Sequence, residues 1–142
     1  MMPYSENLLQ NWRVVVVEDD LDSLELARYI LEFYGAEVST AENGLEGLQM
    51  IRRVRPNFII SDLSMPKMDG WELIRHIKED VALQDIPIIA LTAHAMSGDR
   101  ERAIAAGFHN HLTKPLTVDT FMQQLVALLM DMPVIGGVKL NL

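Results

Sequence analysis

The stretch VVVVEDDLD, Val14 to Asp22, decides the fold. Four β-branched apolar residues run straight into three consecutive acids. Such a run reads as a strand buried on both faces, the kind found in parallel sheets covered by helices. The acids then occupy the loop at that strand's C-terminal end, where open α/β sheets bind their ligands. Nucleotide folds place glycines and helix N–H groups there to receive phosphate. This chain places Glu18, Asp19 and Asp20 there, a set that repels phosphate.

Outward from that stretch, strands and helices alternate. RVVVVE is the first strand, and AEVSTA, NFIIS, IPIIALT and HNHLT are the next four. Between and after them lie SLELARYILEFYG, GLEGLQMIRRV, GWELIRHIKED, SGDRERAIAAG and TVDTFMQQLVALLM, which read as helices. Leu24, Ala27, Leu31 and Tyr34 keep helical spacing, and Gly35 reads as a stop. Ser97 and Thr117 read as N-caps, Gly107 as a second stop. The first, third and fourth strands are the most apolar and belong in the centre; the second and fifth are more polar and belong at the edges. This predicts an α/β fold: one doubly wound, five-stranded parallel sheet of order 2-1-3-4-5, flavodoxin-like, with five helices. Residues 1–12 form an N-terminal extension, 13–130 the domain and 131–142 a C-terminal tail.

Composition narrows the function. A chain of 142 residues is one domain with room for a core. It has no cysteine, hence no disulfide, thiolate or zinc-thiolate chemistry. No apolar run approaches the roughly 20 residues of a membrane span, and MMPYSENLLQNW lacks the charged and apolar regions of a secretory signal. A cytoplasmic protein without direct membrane contact is expected. The net charge is −8, and RRVR at Arg52 to Arg55 is the one basic run. It suits a helix C-terminus better than a duplex, so no direct nucleic-acid binding is expected.

The polar residues converge. Glu18 and Asp19 end the first strand, Asp62 the third, Thr92 the fourth and Lys114 the fifth. All fall at one edge of one sheet, across its switch point. Asp20 and Asp22 read as turn formers or N-caps. Glu18, Asp19 and Asp62 would repel one another unless a cation joins them. Mg²⁺ suits one or two carboxylates, retained waters and phosphate oxygen; Ca²⁺ needs more protein ligands than are visible.

With VVED, SDLSMPKMDG, ALTA and HLTKP in order, the chain resembles a response-regulator receiver domain over about Arg13 to Met130. The resemblance makes Asp62 the acceptor of a phosphoryl group. It makes Glu18, Asp19, Asp62 and the backbone carbonyl of Ser64 the Mg²⁺ ligands. Thr92 and Lys114 become phosphoryl-binding groups, with a cis bond between Lys114 and Pro115. Pro66 and Gly70 are structural. The implied partners are a sensor histidine kinase or histidine phosphotransfer protein, a downstream protein target, and a second copy through the fourth helix, fifth strand and fifth helix. Beyond Mg²⁺-dependent self-phosphorylation and slow autodephosphorylation, no enzyme activity is implied.

The sequence departs from the usual pattern in places. The switch position, usually Tyr or Phe, holds His111, and histidine is smaller, polar and of a type titratable near neutrality. Phe108 stands where the family tends to carry a small residue. Ser64 and His94 occupy positions that in the resemblance tune dephosphorylation; His94 also reads as a plain surface histidine. A flavodoxin-like carrier would want Ser, Thr and Gly after the first strand. An aspartyl-phosphate phosphatase would want an acid at Ser64. A phosphorylation-independent docking module would have lost some of the acids, Thr92 or Lys114. The chain reads either as a stand-alone receiver or as one taken from a hybrid kinase or larger regulator.

Overall fold

The computed structural model describes residues 4–93, 98–131 and 138–141. Its elements are β1 (Arg13–Val17), α1 (Leu21–Phe33), β2 (Glu37–Ala41), α2 (Gly44–Val54), β3 (Phe58–Asp62), α3 (Gly70–Glu79), β4 (Ile88–Thr92), α4 (Asp99–Ala106), β5 (Asn110–Thr113) and α5 (Val118–Met130). The five strands are parallel and ordered β2-β1-β3-β4-β5. Apolar content explains the order. Val14 to Val17 are wholly buried, as are β3 and β4, whereas β2 and β5 keep half-exposed residues.

Successive side chains alternate between the sheet faces, so each central strand feeds two cores. Val14, Val16, Phe58, Ile60, Ile89 and Leu91 pack with residues of α1 and α5. Val15, Val17, Ile59, Ile88 and Ala90 pack on the other face, with residues of α2 and α3. The N-terminal segment joins the first core. Leu8 and Leu9 are fully buried in it, and Val138 and Leu140 pack against the same core. Asn141 N–H donates to the Leu8 carbonyl (3.0 Å) and the Trp12 indole N–H to the Lys139 carbonyl (3.1 Å).

Boundaries differ from the sequence expectation by a few residues. α1 starts at Leu21, two residues early, with Asp20 in the N-cap position. Leu21 is 56% exposed, so apolar periodicity carries no sign of that first turn. β4 starts at Ile88 because Pro87 has no N–H for the ladder; its carbonyl still accepts from Ile59 N–H (2.9 Å). α4 starts at Asp99, and the expected cap Ser97 lies outside the described residues. Thr117 caps α5, accepting from Thr120 N–H, and Gly107 ends α4 with φ +113°. Phe108 is buried edge-on against Trp71 (centroids 5.9 Å apart), and the Arg102 guanidinium lies 4.1 Å over the Trp71 ring. A large side chain at 108 thus fills the seam between α3 and α4.

Candidate functional site

Parallel pairing in continuous register brings the C-terminal strand ends together. Val17 pairs with Ser61, Asp62 with Leu91, and Thr92 with Thr113. Glu18 N–H extends the β1–β2 ladder to the Ala41 carbonyl (2.9 Å), and Lys114 N–H bonds the Thr92 carbonyl (2.8 Å). One edge of the sheet therefore carries Glu18, Asp62, Thr92 and Lys114, with Asp19 on the adjoining loop.

Glu18, Asp19 and Asp62 each offer a carboxylate oxygen within 4.8 Å of the others. Glu18 and Asp62 are buried and Asp19 is exposed. Lys114 Nζ lies 2.5 Å from Glu18 Oε1 and 3.4 Å from Asp62 Oδ2. Burial pushes the Glu18 carboxyl up to about 7, and its hydrogen bond with Asp62 pushes the same way against the pull of Lys114. Desolvation alone would lower Lys114, but the hydrogen bond and charge of Glu18, with those of Asp62, raise it. The pocket holds more negative charge than one ammonium relieves, and a hard divalent cation answers that imbalance with oxygen ligands. The donor set fits Mg²⁺.

The loop between β3 and α3 is fixed around Asp62. Its Oδ1 accepts from the N–H groups of Leu63 (2.7 Å) and Ser64 (3.4 Å), leaving Oδ2 toward Lys114. Ser64 is exposed. The Pro66 carbonyl accepts from Met68 N–H (2.7 Å), and Lys67 takes a left-handed φ of 66°. Gly70 N–H bonds the Leu63 carbonyl, and a Cβ on Gly70 would lie 2.3 Å from the Asp62 carbonyl oxygen. Only glycine lets α3 begin that close to the strand. The Lys114–Pro115 peptide is cis.

His111 is half-buried beside a cleft of about 340 Å³ lined by Leu112, Thr113, Gln124, Ala127 and Leu128. Its Nδ1 is shielded and finds no hydrogen-bond partner among the described residues. Burial lowers its pKa, Arg100 lowers it further, and Glu101 opposes both. His109 lines a different groove, against α4, so the two histidines of this edge do not face one cleft. His94 lies outside the described residues. Asp20 stands in the N-cap position of α1, where its carboxylate accepts from the Ser23 hydroxyl (2.7 Å) and not from the helix backbone. Sequence reading passed over Asn43, which is buried and accepts from Glu46 N–H (2.9 Å). The N-x-x-E spacing at the start of α2 was its signal.

Residues 14–126 match the family profile described as "Response regulator receiver domain". The polar-differentiation response regulator DivK of Brucella anthropi is 37% identical over 118 residues, 83% of this chain and 96% of that protein. An uncharacterized 14.6 kDa protein of Leptolyngbya boryana is 44% identical over 103 residues, 72% of this chain and 79% of that protein. Among solved structures, the receiver domain of the sensor histidine kinase PA1611 from Pseudomonas aeruginosa superposes with TM-score 0.74 at 28% identity, covering 84% of this chain and 98% of that one. That structure has a magnesium ion coordinated in its active-site cleft. The chemotaxis response regulator CheY4 of Vibrio cholerae superposes with TM-score 0.77 at 28% identity, covering 82% and 98%.

Proposed function

The chain belongs to the response-regulator receiver family of two-component signalling, and from that premise we propose that Asp62 takes a phosphoryl group from a phosphohistidine and thereby switches a protein-binding surface. A receiver domain is not a classical enzyme. The observation that carries the reading is the cluster itself: three carboxylates within 4.8 Å of one another, with Lys114 against two of them.

Glu18, Asp19, Asp62 and the Ser64 carbonyl would hold Mg²⁺, which would supply positive charge to the phosphoryl oxygens. Asp62 Oδ2 attacks phosphorus as the P–N bond of the donor breaks. The electron pair leaves with the imidazole, and the product is an acyl phosphate on Asp62. Leu63 and Ser64 N–H groups fix the other carboxylate oxygen and so aim the nucleophile. Lys114, tied to the end of β4 through the Thr92 carbonyl, pairs with the charge on the transferred group. The Thr92 hydroxyl donates to a phosphoryl oxygen, and its movement opens space for His111 on β5. Ser64 and His94 tune hydrolysis, and Pro66 shapes the loop.

The protein works in the cytoplasm, and its donor is a sensor histidine kinase or histidine phosphotransfer protein. The face made by α4, β5 and α5 takes a downstream protein or a second copy. The same chemistry serves a stand-alone regulator or the receiver of a hybrid kinase. The test is mass spectrometry after incubation with phosphoramidate and Mg²⁺. The native protein gains one hydroxylamine-sensitive phosphoryl group; Asp62→Asn gains none and keeps its fold. Equal labelling of Asp62→Asn removes the assignment.

A further inference from the structure

We infer that Gly44, at the N-terminus of α2, is a positioning residue for the cation site, holding the acceptor loop where the Ser64 carbonyl can face the three carboxylates; this rests on the function proposed above. The loop from Leu63 to Asp69 leaves β3 and returns to α3, joined at its two ends by Gly70 N–H on the Leu63 carbonyl. Its far side is held by a different element: Gly44 N–H donates to the Met68 carbonyl (2.8 Å). A Cβ on residue 44 would lie 2.3 Å from the Met68 carbonyl oxygen and 2.9 Å from its carbonyl carbon. Those are backbone atoms, so no side-chain rotation relieves the clash. Loop or helix has to retreat by roughly 1 Å to reach ordinary contact.

The helix is the less yielding partner. Gly47 sits against Val17, leaving no room for another Cβ, and Leu48 and Ile51 are buried. Asn43, buried at the cap, bonds Glu46 N–H. The loop therefore moves. Between Met68 and Ser64 the chain is short and constrained by Pro66, by the Met68 N–H to Pro66 carbonyl bond, and by the left-handed Lys67. Displacement at Met68 passes to Ser64, four residues back. Mg²⁺ holds its ligands at about 2.0–2.1 Å in octahedral geometry and tolerates such displacement poorly. Changes to groups that orient metal ligands typically weaken binding by roughly 10–100-fold.

The test compares Mg²⁺ titrations, followed by amide NMR, of the native protein, Gly44→Ala and Ile51→Ala. Ile51→Ala loosens the same helix two turns away without pressing on the loop. Gly44→Ala is expected to raise the Mg²⁺ midpoint roughly tenfold or more, with excess Mg²⁺ restoring phosphorylation by phosphoramidate. Ile51→Ala is expected to lower thermal stability and leave the midpoint alone. An unchanged midpoint in Gly44→Ala, or equal shifts in both variants, overturns the inference. Should Gly44→Ala not fold, the native protein decides. Its Gly44 amide must shift on Mg²⁺ addition with the midpoint of Leu63 and Ser64, and a Gly44 amide that stays still overturns the inference. A native protein that binds no Mg²⁺ at all overturns the proposed function itself.

Discussion

Replacing Glu18 by glutamine should make the metal-free protein more stable above neutral pH. The native carboxyl is fully buried, and burial with Asp62 close by raises it from 4.5 to about 7. Between those values the folded state keeps a proton that the unfolded chain has released. Linkage then gives a negative slope: stability is fully present below 4.5 and is lost as pH rises to about 7. At about 1.4 kcal/mol per pH unit, the loss from this one group is about 3 kcal/mol. The substituted amide cannot titrate, and it still offers an oxygen to Lys114 Nζ. Urea unfolding of both proteins with a chelator present, followed by the fluorescence of Trp12 and Trp71, gives the difference in unfolding free energy at each pH. That difference should shift toward the variant by about 3 kcal/mol across the window. Lys114 is raised and titrates above this range, and His111 contributes alike to both proteins, so neither mimics the effect. Adding Mg²⁺ should reverse the native slope, because the ion binds the deprotonated carboxylate. Parallel curves for native and Glu18→Gln would refute the account of a carboxylate strained by burial and crowding.

Other expectations concern single groups. Asp19→Ala should lose Mg²⁺ binding in calorimetry and phosphorylation with it, since Glu18 and Asp62 remain engaged with Lys114; labelling that persists in excess chelator contradicts this. The His111 imidazole should titrate below 6.5 in the unphosphorylated protein and lower still with beryllofluoride bound. The state with the lower pKa binds fewer protons, so rising pH through that range favours activation; an identical NMR titration in both states places the switch elsewhere. Leu9→Ala should cost about 2–4 kcal/mol in chemical unfolding, as Leu9 is fully buried and its N–H bonds the Tyr34 carbonyl (2.8 Å); a loss under about 0.5 kcal/mol, typical of surface positions, would show that the N-terminal segment is not part of the core.

The sequence by itself determined the sheet order and the edge on which the site lies. Val14 to Val17, Phe58 to Ser61 and Ile88 to Leu91 are buried on both faces, and only central strands of a parallel sheet need such runs. With the order fixed, residues at strand ends share one edge, so Glu18, Asp62, Thr92 and Lys114 were legible together. Periodicity reports burial along one element and nothing about what a loop meets. The tertiary structure alone decided that Lys114 reaches Glu18 more closely than Asp62, which sets the charge balance of the pocket. It alone placed Met68 on Gly44, Phe108 against Trp71, and Leu8, Leu9, Val138 and Leu140 on one core. Those contacts join segments distant in the chain. Their distances follow from how helices seat on the sheet, a packing of many side chains at once that no local pattern of residues encodes.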